Sequence, residues 1–195
     1  MIVTLIRHGE TIWQAEGRYQ GVSDIPLSSS GAAKLCPAEY CPDVVHVTGL
    51  MRTAQTAAII FPEARQVCVP GLEEMDFGVF EGKNYRELTG RRDYQNWVDG
   101  GCLGTCPGGE NKAGFCRRVC AAFEELMAEN ADEPELTLVA HGGTLMAALE
   151  RYGWPKRDYF DWHCPCGHGF RLEAVNWERE RTLRLLGPVS FTGGD

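Results

Sequence analysis

Two apolar, β-branched runs in this chain end on histidine followed by glycine: IVTLIRHG at 2–9 and LTLVAHGG at 136–143. A buried strand usually ends on turn residues. An imidazole at that point is a polar group delivered to the edge of a sheet, and the glycine behind it lets other backbone come close. This repeated ending restricts the possible folds more than any composition figure. Two shorter runs, VVHV at 44–47 and QVCV at 66–69, also read as strands. Helical spacing appears between them. Ser28–Ser30 supply caps before 31–35, LMRTAQTAAIIF at 50–61 stops at Pro62, and 110–130 places Phe115, Val119, Phe123 and Leu126 on one face. A polar helix is expected over 85–98, and another after His141 to Arg151. The stretches 12–27, 71–84 and 99–109 are rich in glycine or lack periodicity and read as loops. GFRLEAV and RTLRLL, near the end, read as a closing hairpin.

Strands alternating with helices predict an α/β fold, a three-layer sandwich with a mostly parallel sheet and helices on both faces. No internal repeat or low-complexity linker divides the 195 residues, so one domain over 1–195 is expected. In such a sheet, ligands bind beyond the carboxyl ends of the strands. His8 and His141 both stand there. Arg7 precedes His8, Arg52 follows VVHV near a helix start, and the loop after QVCV carries Glu73, Glu74 and Asp76. Taken singly, each is an ordinary structural histidine or a solvated charge. Together at strand ends, two histidines, two arginines and a carboxylate form a candidate anion-handling site.

The formal charge of −8 argues against a nucleic-acid or anionic-membrane partner, which would want a basic face. No basic segment leads into an apolar run, so no signal peptide is read, and no apolar stretch approaches the ~20 residues that span a bilayer. Nine cysteines without an export signal fit free thiols in a reducing, cytoplasmic setting. Cys116 and Cys120 lie four apart on a helix. A zinc site from Cys102, Cys106, Cys164 and Cys166 is conceivable, but the two pairs lack the usual knuckle spacing on both sides. No metal and no cofactor are expected.

The motifs Leu5-Ile6-Arg7-His8-Gly9-Glu10-Thr11, GRYQGVSDIPLSSSG, GLMRTAQTA, LEEMDFGVFEG and LVAHGGTL occur in that order. With them the chain resembles the histidine phosphatase superfamily, the phosphoglycerate-mutase-like proteins, over most of its length. The resemblance implies a phosphohistidine formed on His8, a phosphate pocket of Arg7, Arg52 and a protonated His141, and Glu74 rather than Glu73 as the acid. It also implies substrate contacts from Gln14, Gln20, Gly21 and Gly142, with Gln14 standing where the family usually has asparagine. Within the family, EMDFGVFEGKNYREL, Trp97 and CPGGENKAGFCRRV look most like the α-ribazole-phosphatase branch of cobalamin synthesis, and the short segment between Gly82 and Glu110 leaves little room for a mutase lid. The expected substrate is a small phosphate ester, α-ribazole 5′-phosphate first. A broad phosphatase, a phosphoglycerate mutase and a non-catalytic phosphate-ester-binding protein are the alternatives. Residues 77–112 are the expected substrate cover. They offer Phe77, Phe80, Tyr85, Tyr94 and Trp97 for stacking, and Lys83, Arg86, Arg91 and Arg92 for a second anion. Trp154, Phe160 and Trp162 are expected in the core.

Overall fold

A computed structural model describes residues 1–193. The chain runs β1 (Ile2–Arg7), α1 (Ile12–Ala15), α2 (Ser29–Lys34), β2 (Val44–Val47), α3 (Met51–Ile60), β3 (Arg65–Cys68), α4 (Tyr85–Leu88), α5 (Arg92–Asp99), α6 (Lys112–Glu129), β4 (Glu135–Ala140), α7 (Gly142–Tyr152), β5 (Gly153–Trp154), β6 (His168–Val175), α8 (Trp177–Glu180) and β7 (Thr182–Ser190). Short 3₁₀ turns lie at Gly78–Phe80 and Tyr159–Trp162. The strands form one seven-stranded sheet in the order β3-β2-β4-β1-β6-β7-β5. The run from β3 to β1 is parallel, β6 is antiparallel to both β1 and β7, and β5 rejoins β7 in parallel. The sheet is therefore mostly parallel, as the alternation of elements predicts.

Strand alternation sorts the core onto two faces. Val3, Leu5, Leu136 and Leu138 face one cluster with Phe115, Phe123 and Leu145 of α6 and α7. Ile6, Val45, Val47 and Val139 face the other, with Ala57 and Ile60 of α3. Both faces are covered over β1, β2 and β4, so these apolar strands find no solvent side, whereas the edge strand β3 is largely exposed.

Three local expectations need correction. The stretch 12–27 is not all loop. Thr11 caps a single helical turn, accepting from Gln14 N while the Gln14 side chain accepts from Thr11 N, a reciprocal pairing that offsets the absence of apolar periodicity. The helix expected over 85–98 is two pieces, because Gly90 adopts φ +86° between them and Asn84 caps the first. The long helix begins at Lys112 behind the cap Asn111, so Glu110 lies outside it and has another role.

Candidate active site

The register of β1 on β4 decides where the histidines fall. Arg7 pairs with Ala140 in a parallel ladder, so the next residues, His8 and His141, leave the sheet side by side. Their ring centroids are 5.2 Å apart. His8 N donates to Ala140 O at 3.0 Å, and Gly9 N donates to Thr56 Oγ1 of α3 at 2.9 Å, which pins the turn after β1. His8 Nδ1 donates to the Gly9 carbonyl at 2.7 Å, leaving the lone pair on Nε2, with which no group among the described residues makes a hydrogen bond. Burial, then the Arg52 and Arg7 charges, hold the imidazole down to about 3, while the bond to Gly9 opposes them. His8 is a neutral imidazole at any ordinary pH.

Arg52, the second residue of α3, is completely buried. It donates to Ser23 O at 2.8 Å, Gly21 O at 2.6 Å and His141 Nδ1 at 3.2 Å. Burial brings its guanidinium down to about 10, so it stays charged at neutral pH. Arginine has only donors. His141 Nδ1 is therefore an acceptor, and its proton rides on Nε2, 2.8 Å from Thr48 Oγ1. Burial and the neighbouring Arg52 keep His141 well below its ordinary value. The protonated His141 expected from the sequence is thus corrected: it is a neutral hydrogen-bonding group, and the positive charge comes from the two arginines.

Arg7 is held from the far side. It donates to Cys164 O at 2.7 Å and lies 3.1 Å from His163 Nε2. Its buried Nε has no acceptor among the described residues. Gly142 lies flat against it, since a Cβ there would stand 3.3 Å from Arg7 Nε. Gln20 Nε2 is a second buried donor without an acceptor among the described residues, while its Oε1 accepts from the Thr11 hydroxyl at 2.5 Å. Gln14 Oε1 accepts from Thr11 N at 3.1 Å, with the Cys166 thiol 3.6 Å away, and its Nε2 makes no hydrogen bond to the described residues. Gly21 contributes its carbonyl to Arg52 and closeness to Met75 O, where a Cβ would stand at 2.0 Å.

Glu74 lies half-buried across the site, at the start of α7. Its oxygens accept from Met75 N and Gly143 N, each at 2.9 Å. Burial raises this carboxyl above the usual range, and the two amides and the arginines oppose that rise. Its loop is clamped by groups the sequence did not single out. Arg118 of α6 donates to Gly71 O, Glu73 O and Glu74 O, and is paired with Glu110, which accepts Asp76 N at 3.0 Å. Glu73, by contrast, bonds Gly71 N and faces Arg118.

Beside Glu74 is a cavity of about 290 Å³, walled by Tyr19, Met75, Phe77, Trp97, Cys102, Lys112, Gly143, Met146, Tyr159 and Phe160. The segment 77–112 therefore contributes to it, but not through all the residues expected. Phe80 and Tyr94 are in the core, and Tyr85 is 59% exposed. Lys83, Arg86, Arg91 and Arg92 are not among the lining residues; Lys112 is. Of the later aromatics only Trp162 is core; Phe160 is 69% exposed at the cavity and Trp154 is 56% exposed at the sheet edge. Cys102 and Cys106 sit near Tyr19, Cys164 and Cys166 near Arg7, and no group of three or more His, Cys, Asp or Glu side chains among the described residues could hold a metal ion.

This geometry, a neutral imidazole between guanidinium groups at the carboxyl edge of a parallel sheet, belongs to a class of phosphoryl-handling α/β proteins. The family model of the histidine phosphatase superfamily (branch 1) matches residues 3–184, and the chain belongs to that superfamily. A protein of Yersinia enterocolitica named "Probable phosphoglycerate mutase GpmB" is 34% identical over 159 residues, 75% of this chain and 74% of that one. Among solved structures, the α-ribazole phosphatase from Shigella flexneri superposes with a TM-score of 0.83 at 25% identity, covering 100% of this chain and 99% of that one. The phosphoglycerate mutase from Thermus thermophilus gives 0.71 at 28% identity, covering all of both chains.

Proposed function

We propose that the chain is a phosphomonoesterase acting through a phosphohistidine on His8, with a small phosphate ester as its partner rather than a nucleic acid or a membrane. The observation that carries this is a neutral His8 whose Nε2 carries an uncommitted lone pair, with the Arg52 and Arg7 charges and the His141 ring, 5.2 Å away, beside it. Guanidinium charges around a nucleophilic imidazole suit a phosphoryl group, whose oxygens they neutralise while its phosphorus meets the nitrogen.

His8 Nε2 attacks phosphorus as the ester P–O bond breaks. The arginines stabilise the charge spread over the equatorial oxygens. Glu74, whose carboxyl burial raises above the usual range, gives a proton to the departing alkoxide. As carboxylate it then takes a proton from the water that cleaves the P–N bond, returning His8 neutral and releasing phosphate. Phosphate binding adds negative charge beside His141, which favours a proton there only once substrate is present.

The ring-lined cavity beside Glu74 supports a flat, apolar leaving group joined through a sugar, α-ribazole 5′-phosphate being the best fit. The name of the Yersinia relative favours a second reading, phosphoryl transfer on phosphoglycerate. One experiment separates them: incubate the protein with α-ribazole 5′-phosphate or 3-phosphoglycerate at equal, sub-KM concentrations, trap the phosphoenzyme and assay free phosphate. The proposal expects acid-labile phosphate on His8 and faster phosphate release from the ribazole ester. Equal release from both esters replaces it with a broad phosphatase. Isomerisation of 3-phosphoglycerate without release replaces it with the mutase, and label on another residue removes His8 as nucleophile.

A further inference from the structure

Among the described residues, Lys112 is the one cation in the wall of the leaving-group cavity. Its position is not explained by the helix it begins. It occupies the first residue of α6, where the macrodipole disfavours a cation. The stem is partly buried, and Nζ lies 4.1 Å from the Tyr159 ring centroid and 5.6 Å from that of Phe160. Its carboxylate neighbour Glu150 stands 3.8 Å away, beyond hydrogen-bond reach, so the two attract through charge alone, with no hydrogen bond between them. Its N–H groups make no hydrogen bond to any of the described residues.

A continuous wall links this ammonium to the acid. Glu74 accepts from Gly143 N, the Tyr159 hydroxyl donates to Gly143 O at 3.4 Å, and Lys112 lies on the Tyr159 ring. Lys112 and the carboxyl that protonates the leaving oxygen thus belong to one wall, joined through Tyr159 and Gly143. The other lining residues are aromatic, thioether, thiol or glycine, apart from Glu74 itself.

We propose that Lys112 is the specificity-determining residue of this cavity, donating to a hydrogen-bond-accepting or anionic edge of a flat leaving group. This rests on the phosphomonoesterase reading of the site. The rings hold the faces of the leaving group and Lys112 reads its far edge. Glu150 tempers that reading, because it shares the ammonium's field and weakens its pull on an anion.

The test uses two esters that differ by one group, phenyl phosphate and 4-carboxyphenyl phosphate, and follows the ratio of their kcat/KM values. The intrinsic reactivity difference between the esters cancels when a variant's ratio is divided by that of the unmodified protein. Loss of one charge-assisted hydrogen bond lowers the carboxyphenyl-to-phenyl ratio about tenfold in Lys112→Met and less than about threefold in Lys112→Arg, while Glu150→Gln raises it about threefold. A ratio unchanged within about twofold in Lys112→Met, or lowered in Glu150→Gln, overturns the proposal. If Lys112→Met does not fold, the direction of the Glu150→Gln effect decides alone. The same double ratio is read from the dissociation constants of phenylphosphonate and 4-carboxyphenylphosphonate, which need no turnover. Absence of hydrolysis therefore removes the phosphatase reading, whereas an unchanged binding ratio removes the role of Lys112.

Discussion

At the end proposed for phosphate the polar groups hang from strand and helix ends; at the end proposed for the leaving group, four of the five rings in the wall, Tyr19, Phe77, Tyr159 and Phe160, are carried on loops and short turns. Arg52 has no exposed surface and is fixed by two carbonyls and a histidine, while Phe160 at the other end is 69% exposed. The first end handles charge, where a shift of ~1 Å costs roughly 10² in rate. The second holds apolar surface, where contact area counts and geometry is forgiving. A protein built this way can keep one chemistry and change substrates by altering the second end. That fits solved neighbours named for both an α-ribazole phosphatase and a phosphoglycerate mutase.

Substitutions at the charged end should therefore be the most damaging. His8→Ala removes the attacking nitrogen and should lower kcat by at least about 10⁴-fold, about 5.5 kcal/mol, measured with p-nitrophenyl phosphate. A variant that keeps a tenth of the activity would make the two ends equals and remove His8 from the chemistry. Glu74→Gln keeps the shape and loses the proton. It should cost about 10³-fold with an alkyl phosphate, close to 4 kcal/mol, and much less with p-nitrophenyl phosphate, whose leaving group scarcely needs protonation. Equal losses on both substrates, or a larger loss in Glu73→Gln, would reject Glu74 as the acid.

The charged end also costs stability in acid, and the sign follows from His8. Above its ordinary value of 6.5 the imidazole is neutral in both the folded and the unfolded chain, so it adds no pH dependence. Between 6.5 and about 3 the unfolded chain binds a proton that the folded chain refuses, so stability falls as pH falls. At pH 4.5, two units below 6.5, His8 alone should account for about 3 kcal/mol. Denaturant melts of the unmodified protein and His8→Asn at pH 7 and 4.5 test this. The variant should lose distinctly less stability on acidification; parallel losses would show that His8 is not held neutral.

The contrast between the ends also explains which residues can be read from the sequence. Arg7, His8 and His141 are visible because β1 and β4 carry them to the same edge, and strand periodicity is a local signal. Glu74 is separable from Glu73 only by resemblance, since nothing in the two neighbours' composition says which one meets Gly143 N. Arg118, Glu110, Lys112, His163 and Phe160 are not visible as site residues. Their roles depend on which helix packs on which loop, and Glu110 reads as part of a helix start although Asn111 is the cap. The neutral state of His141 is hidden for the same reason: it is set by burial and by Arg52, whose Nε, 89 positions away, also fixes the tautomer. In the 85–98 stretch, helical composition is outweighed by one glycine at positive φ.

A residue between the two ends should give an intermediate effect. Arg118 is not among the cavity's lining residues, but it holds the carbonyls of Gly71, Glu73 and Glu74 and the Glu110 carboxylate. It positions the loop that carries the proposed acid. Arg118→Met should lower kcat with an alkyl phosphate about tenfold, about 1.4 kcal/mol, and change inhibition by inorganic phosphate less than about threefold. A matched fall in phosphate affinity would mean that the whole site has collapsed, not that the acid has moved.

The smallest effect belongs to the leaving-group end. Phe160 is exposed, so Phe160→Ala should leave the thermal midpoint close to that of the unmodified protein. It removes a ring face at the cavity mouth and part of the aromatic surface under Lys112, 5.6 Å from its centroid. Stacking on one ring is worth roughly 1 kcal/mol at the low end of its range, about fivefold. That loss should appear in kcat/KM for an ester with a ring in its leaving group and vanish for glycerol phosphate, which has no face to stack. It should appear in KM more than in kcat, because the stack is made in the bound ester and kept in the transition state, so its loss weakens both equally. If glycerol phosphate suffers as much as the ring ester, the mouth shapes the phosphate pocket itself and the division between the two ends fails.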